Sequence, residues 1–184
     1  MLDLPAYELR PLRRVEYEEL SRLGHFDDER VELLYGAIVR MSPTHPPHSG
    51  ILQRLTQMLA RALDESQAGV RIQSPLALSS QSMPEPDLAI VPPGDYLEAH
   101  PTEAWLIIEV AESSLKKDRV IKARLYAEAA VPEYWIVDVE ANLIEVRTGP
   151  EGGNYARVAV HGRGTRISLV RFPEVSLSTD RILR

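Results

Sequence analysis

The stretch Trp105–Ala111, WLIIEVA, is an apolar run that carries one carboxylate near its end. A run this short and this rich in Ile and Val predicts a buried strand. Because side chains alternate along a strand, Glu109 shares a face with Ile107 and Ala111. Glu109 therefore stands where its neighbours favour an aliphatic residue, and a buried charge is costly unless it is paired or binds a metal.

A second carboxylate lies upstream, in Pro84–Val91, PEPDLAIV, where Asp87 stands at the mouth of another short apolar strand. If the two strands pair side by side, both acids lie on one face of the sheet. Converging carboxylate oxygens suit Mg²⁺ or Mn²⁺. The alternatives are that Asp87 is a turn residue after proline and that Glu109 pairs with a buried arginine.

The chain order predicts a mixed α/β sheet flanked by helices. We expect an extended arm over 1–12, helices over 15–23, 48–66 and 115–130, and a hairpin of 31–34 with 37–41. Further strands are expected over 70–78, 88–91, 105–111, 134–139, 143–147, 155–160 and 166–170, with 175–183 a last strand or short helix. Pro75 places the strand over 70–78 at an edge or a bulge.

Length and composition suit a single domain over 1–184 and a cytoplasmic location. The 184 residues can bury a sizeable core, and there is no cysteine for a disulfide or a thiolate site. We find no signal-peptide pattern and no apolar run of membrane-spanning length. The net charge of −6 counts against nucleic-acid binding, although an acidic site contributes to it and a divalent ion offsets it.

Basic residues nevertheless form three local clusters. For any one cluster a solvated surface is the simpler interpretation. The clusters are Arg10 with Arg13 and Arg14, Lys116 with Lys117 and Arg119, and Arg163 with Arg166 and Arg171.

Pro86-Asp87 followed by Glu109-Val110-Ala111 resembles the signature of the PD-(D/E)XK nuclease superfamily. More closely, the chain resembles a bacterial family of restriction-endonuclease-like proteins. The resemblance implies a restriction-endonuclease-like fold, hydrolysis of DNA phosphodiester bonds with Mg²⁺ or Mn²⁺ held by Asp87 and Glu109, and a homodimer. The similar segments are Val31–Gly36, Met41–His45, Pro84–Leu88, Ile108–Ser114 and Pro132–Asp138.

The superfamily pattern has a lysine two residues after the glutamate, and this chain has Ala111 there. Lys122, on the next predicted helix, is the candidate replacement, with Lys116 and Lys117 expected in a first turn beside a solvent-facing loop. Four-residue spacing places Lys122 on one helix face with Asp118 and Tyr126. The alternative is an exposed lysine paired with Asp118.

Glu32 resembles the additional acid that many superfamily members bring from an N-terminal element, and it is a further catalytic candidate. The alternative is an edge-strand glutamate in solvent. His45 and His48 flank two prolines before the long helix, where they can contact a phosphate or simply cap the helix.

Two functions follow from these residues. The first is a metal-dependent endonuclease, which the pair Asp87 and Glu109 favours. The second is a catalytically inactive protein that keeps the fold for binding nucleic acid or protein, which Ala111 and the acidic charge favour.

Overall fold

A six-stranded sheet lies at the centre of the computed structural model, which describes residues 9–184. The chain begins with α1 (Arg14–Arg22), the hairpin of β1 (Val31–Leu34) and β2 (Ala37–Arg40), and α2 (Pro46–Ala62). It continues with β3 (Gly69–Ile72), β4 (Leu88–Val91) and β5 (Leu106–Ala111). Next come α3 (Leu115–Lys117), a π-helical turn (Asp118–Lys122) and α4 (Ala123–Glu128). The remaining elements are β6 (Glu133–Asp138), β7 (Leu143–Glu151), β8 (Asn154–His161), β9 (Arg166–Ser168), β10 (Ser176–Ser178) and a 3₁₀ turn (Thr179–Arg181).

The strand order of the sheet is β3-β4-β5-β6-β7-β8. Neighbours run antiparallel except β5 and β6, which are parallel and are joined by the crossover through α3 and α4. The hairpins β1–β2 and β9–β10 form two separate small sheets. The predicted mixed α/β sheet flanked by helices is confirmed.

The central strand β5 is buried on both faces, and its side chains alternate as predicted. Leu106, Ile108 and Val110 pack in the core under α2. Ile107 and Ala111 pack in a second core with the side chains of α4. Glu109 belongs by alternation to this second face, which the crossover helices cover.

Three expectations about the first half of the chain need correction. In the helix predicted over 15–23, the sequence places Val15, Leu20 and Leu23 roughly on one side with the glutamates outside. In α1, however, Val15 and Leu23 are largely exposed and Tyr17 is the buried residue. Its hydroxyl donates to the carbonyl of Val31 at 2.9 Å, which joins α1 to β1. The helix expected over 48–66, with Gly69 as its predicted stop, is α2 over Pro46–Ala62, and Gly69 is instead the first residue of β3.

The predicted extended arm falls mostly on residues 1–8, which lie outside the described part of the chain; residues 9–13 have no regular structure. The strand over 70–78 is shorter than expected, since β3 ends at Ile72, but it is an edge strand as Pro75 predicted. Within residues 9–184 no helix is long and apolar enough to cross a bilayer.

Candidate active site

Asp87 directly precedes β4, and Glu109 lies on the adjacent antiparallel strand β5. Leu88 of β4 is opposite Ile108 of β5, so one further step of the register places Asp87 opposite Glu109. Residues opposite each other across antiparallel strands point to the same face. The amide of Val110 donates to Asp87 Oδ2 at 2.8 Å, which fixes the aspartate against β5. Both acids line one cleft.

Lys122 lies beside this acid pair. Its Nζ is 2.8 Å from Glu109 Oε1 and 3.0 Å from Glu32 Oε2, and only 2% of the residue is exposed. The alternative of an exposed lysine paired with Asp118 is therefore wrong; the two form no ion pair. The alternative of a buried arginine for Glu109 is also wrong, because the cation is a lysine.

Lys122 lies at the end of a π-helical turn. The helix predicted over 115–130 is not a regular α-helix, since Asp118–Lys122 adopts the wider π-helical turn between α3 and α4. The wider turn still leaves Asp118, Lys122 and Tyr126 buried together. Single π-turns inside helices are frequent at functional sites.

Glu32 is fully buried, so the solvent-exposed alternative is wrong for this residue as well. It is brought in by β1, whose hairpin turns at Tyr35 (φ 51°) and Gly36 (φ 77°) and is bridged to the segment before β4 through Leu33 and Met83. Its Oε1 accepts from Lys117 Nζ at 2.8 Å. Lys117 was expected beside a solvent-facing loop, and this contact corrects that expectation.

His48 is a neighbour of the site whose contact was not predicted. Its Nε2 lies 3.0 Å from Asp87 Oδ1, and its buried Nδ1 has no hydrogen-bond partner within residues 9–184. The signal was in the helical spacing, because His48 lies on the same stripe of α2 as the buried Ile51, Leu52 and Leu55. His45 precedes the helix as its N-cap residue and makes no side-chain capping bond.

Two further side chains of the crossover, Tyr126 and Asp118, lie close to Glu109 and the cleft. The Tyr126 hydroxyl donates to Glu109 Oε1 at 2.7 Å. Asp118 is 1% exposed, and its Oδ2 accepts from Ser114 Oγ at 2.5 Å. Its Oδ1 is buried without a hydrogen-bond partner in the described part of the chain.

Burial and neighbouring charges give the acids different protonation tendencies. Burial raises the pKa of Glu109 to about 8, with Lys122 opposing and nearby carboxylates adding to the shift. Burial alone would also raise the pKa of Glu32, but the charges of Lys122 and Lys117 outweigh it and lower that pKa. For Lys122, burial disfavours the charge, yet Glu109 and Glu32 more than compensate and raise its pKa. Of the two glutamates that contact Lys122, Glu32 is therefore the one whose surroundings favour the anion.

The pKa values of the two aspartates move in opposite directions. For Asp87, burial is opposed by the His48 contact and the Val110 amide, and the pKa falls below its ordinary value. Burial raises the pKa of Asp118 despite the charge of Lys122. Of the two aspartates, Asp87 is therefore the one whose surroundings favour the ionised carboxylate.

The donor set fits a hard divalent cation. Asp87 and Glu109 present their carboxyl groups on one face of the sheet. The buried Asp118 Oδ1 has no hydrogen-bond partner in the described residues and is a further oxygen that could face a cation. No three His, Asp or Glu side chains within residues 9–184 already form a metal-ligand cluster. Mg²⁺ commonly takes only one or two carboxylates and completes its shell with water and substrate oxygens, so an acid pair is sufficient.

The mixed six-stranded sheet flanked by helices defines an α/β protein. The chain belongs to the family Uma2, described as "Putative restriction endonuclease", whose model matches residues 15–180. A solved structure of a putative nuclease belonging to DUF820 from Anabaena variabilis ATCC 29413 is similar to 94% of this chain and 97% of its own, with a TM-score of 0.73 and 15% identity. At that identity the likeness concerns the fold alone. No curated protein matches.

Proposed function

We propose that the protein is a metal-dependent endonuclease that hydrolyses DNA phosphodiester bonds. The observation that carries the proposal is the buried Lys122, whose ammonium contacts Glu109 and Glu32 although position 111 is an alanine. Family membership supports nuclease chemistry in general. Asp87 and Glu109 would hold Mg²⁺ or Mn²⁺.

The reaction requires a water oxygen to attack phosphorus while one ester P–O bond breaks and the leaving oxygen gains a proton. A divalent ion held by the acid pair would polarise the phosphate and make a water nucleophilic at neutral pH. Lys122 would stabilise the negative charge that develops on the phosphoryl oxygens. Glu32 would keep the Lys122 ammonium charged and fixed in position.

The charge of the cleft explains why a cation is needed. Its lining includes Glu85, Asp87, Glu109, Glu112 and Asp118 against Arg30, Lys117 and Lys122. When these acids are ionised they outnumber the basic side chains five to three and repel a phosphodiester. A divalent cation would reverse the local charge and allow the phosphate to enter.

The proposal is tested by incubating the protein with supercoiled plasmid in Mg²⁺, in Mn²⁺ and in EDTA, with Asp87→Asn as the matched control. We expect nicked or linear plasmid with either metal, and none in EDTA or with the control. No cleavage of DNA or RNA with either metal would favour the catalytically inactive alternative.

Calorimetric titration of Mn²⁺ separates the two candidates independently of the substrate. An acid pair that holds a catalytic ion should bind Mn²⁺, and Asp87→Asn should remove that binding. We further infer a homodimer, because two copies can cut the two strands of a duplex. Sedimentation velocity would test the dimer.

A further inference from the structure

A second charged pocket lies at the opposite end of α2 from the acid cleft. It is a cavity of about 240 Å³ whose lining includes Arg61, Arg166 and Arg181 together with Ser176 and Ser178. No carboxylate lines it within the described residues. In a chain of net charge −6, three arginines around one cavity are a local reversal of sign.

The pocket is assembled from three elements. Arg61 comes from the last turn of α2, and Arg181 from the 3₁₀ turn after β10. Arg166 on β9 is fixed across the hairpin, because its Nε donates to Ser176 Oγ at 3.1 Å and its second nitrogen to the Ser176 carbonyl at 2.6 Å. These two hydrogen bonds fix the orientation of the Arg166 guanidinium at the edge of the pocket.

Asp180, which precedes Arg181 in the chain, is engaged outside the pocket. Asp180 accepts from Arg163 at 3.2 Å and from the amide of Gly164 at 3.1 Å. Arg61 and Arg181 form no ion pair with any residue of 9–184, whereas Arg163 does. Three arginines line one cavity with no carboxylate among them, and a bound anion would offset their positive charge.

The chemistry of the lining selects a phosphate group. Arginine presents a planar fork of donors that matches phosphate oxygens in pairs, and serine hydroxyls add further donors. The cluster is also placed on the same helix as the acid cleft. Arg61 follows His48 along α2 by about 20 Å at 1.5 Å per residue, which is roughly six phosphates of one strand at 3.4 Å each.

We propose that this arginine pocket binds the phosphate backbone of a nucleic acid, at a distance from the cleft. The inference rests on the proposed function in one respect, since it takes the nucleic acid to be the one that enters the cleft. The pocket contributes binding without touching the bond that is cut. It also supplies positive charge that the acidic cleft lacks.

The test measures binding, not cleavage. Fluorescence anisotropy of a labelled 20-base-pair duplex is recorded at several NaCl concentrations for the intact pocket, for Arg61→Ala and Arg181→Ala together, and for the control Arg157→Ala, an exposed arginine of β8 outside the pocket. One series is run in EDTA, and a second in Mg²⁺ with Lys122→Met in every protein to prevent cleavage. Replacing two phosphate contacts should reduce the slope of log K against log salt by about two. The dissociation constant should rise roughly ten-fold or more, while the control stays near the wild type.

Each outcome of the binding test has a defined meaning. A double variant with the affinity and salt slope of the wild type would overturn the proposal, as would a wild type that binds no nucleic acid. If inorganic phosphate saturates the pocket and competes poorly with the duplex, the pocket is a free-anion site and the proposal is wrong. Arg61→Lys with Arg181→Lys should retain most of the salt slope, because the charge is kept.

Failure of this inference is distinguishable from failure of the proposed function. If the protein cleaves plasmid but the double arginine variant binds the duplex as well as the intact pocket does, the endonuclease proposal stands and the pocket proposal is wrong. If the double arginine variant binds the duplex more weakly but no metal supports cleavage, the pocket proposal stands and the endonuclease proposal is wrong.

Discussion

The Lys122 ammonium lies 2.8 Å from Glu109 Oε1, although the two residues are 13 positions apart on a helix and a strand. This contact supplies a positive charge beside β5, where Ala111 cannot. The position of a lysine ammonium on the strand would be set by the twist of β5. The position of the Lys122 ammonium is set by how the crossover helices pack on the sheet. The position of the charge is thus set by helix packing.

Lys122 should act on the reaction more than on metal binding. We expect Lys122→Ala to abolish Mg²⁺-dependent plasmid cleavage while calorimetric Mn²⁺ affinity stays within a few-fold. That pattern is expected of a group that stabilises the transition state more than the ground state. Lys122→Met, which keeps most of the side-chain volume, controls for a packing defect. Full cleavage by either variant would disprove the role given to Lys122.

Glu109→Gln should cost little stability in the metal-free protein. Burial raises the pKa of Glu109 to about 8, so a neutral side chain resembles its favoured protonation state. The glutamine oxygen can still accept from Lys122 and Tyr126, and repulsion from nearby acids is removed. We expect the free energy of unfolding in urea with EDTA to change by less than about 1 kcal/mol. A loss of about 3–5 kcal/mol would instead mean that Lys122 requires this carboxylate.

Glu32→Gln should be the more destabilising change, because Glu32 is the anion that keeps Lys122 and Lys117 paired. Loss of one partner of a buried pair typically costs about 3–5 kcal/mol. The folded-state pKa of Glu32 lies below 4.5, so its stabilisation is complete above pH 4.5 and is lost as the pH falls through the lowered pKa. Urea unfolding at pH 7 and pH 3.5 should show the gap between wild type and variant narrowing at the lower pH. A gap that does not change with pH would contradict this assignment.

His48 should orient Asp87 for metal binding. Its Nε2 contacts Asp87 Oδ1, and a group that orients a ligating side chain is commonly worth about 10–100-fold in metal affinity. We expect His48→Phe to weaken Mn²⁺ binding within that range by calorimetry. His48→Gln keeps an amide donor and should recover part of the loss. Equal affinity in the wild type and His48→Phe would show that Asp87 needs no such support.

Local patterns were sufficient to predict the core of the fold. The apolar runs that contain Leu88–Val91 and Leu106–Ala111 predict neighbouring strands, and their pairing brings Asp87 opposite Glu109. The stripe of apolar residues on α2 predicts the long helix, because a 3.6-residue period kept over several turns is typical of an amphipathic helix and of no strand.

Contacts between distant segments were not predictable in the same way. Lys117 meets Glu32 across 85 positions, and this contact depends on where the β1–β2 hairpin docks. The face of α1 was predicted from aliphatic residues, but the buried residue is Tyr17, whose hydroxyl bonds to Val31 and whose ring stacks on Phe26. Lys122 was proposed through family resemblance, since nothing in its local sequence distinguishes it from a surface lysine.

The hairpin that carries Glu32 stands outside the six-stranded sheet. Val31 and Leu33 pack with Tyr17 and Met83 in a small separate cluster, and Leu34 and Val39 pack against the core beside α4. Such units can open by themselves at a lower free energy than global unfolding. Opening of this hairpin would withdraw Glu32 and leave Lys122 with Glu109 alone, while the sheet stays intact. Amide hydrogen exchange over Val31–Arg40 would then report the lifetime of the assembled charge network instead of the stability of the whole molecule.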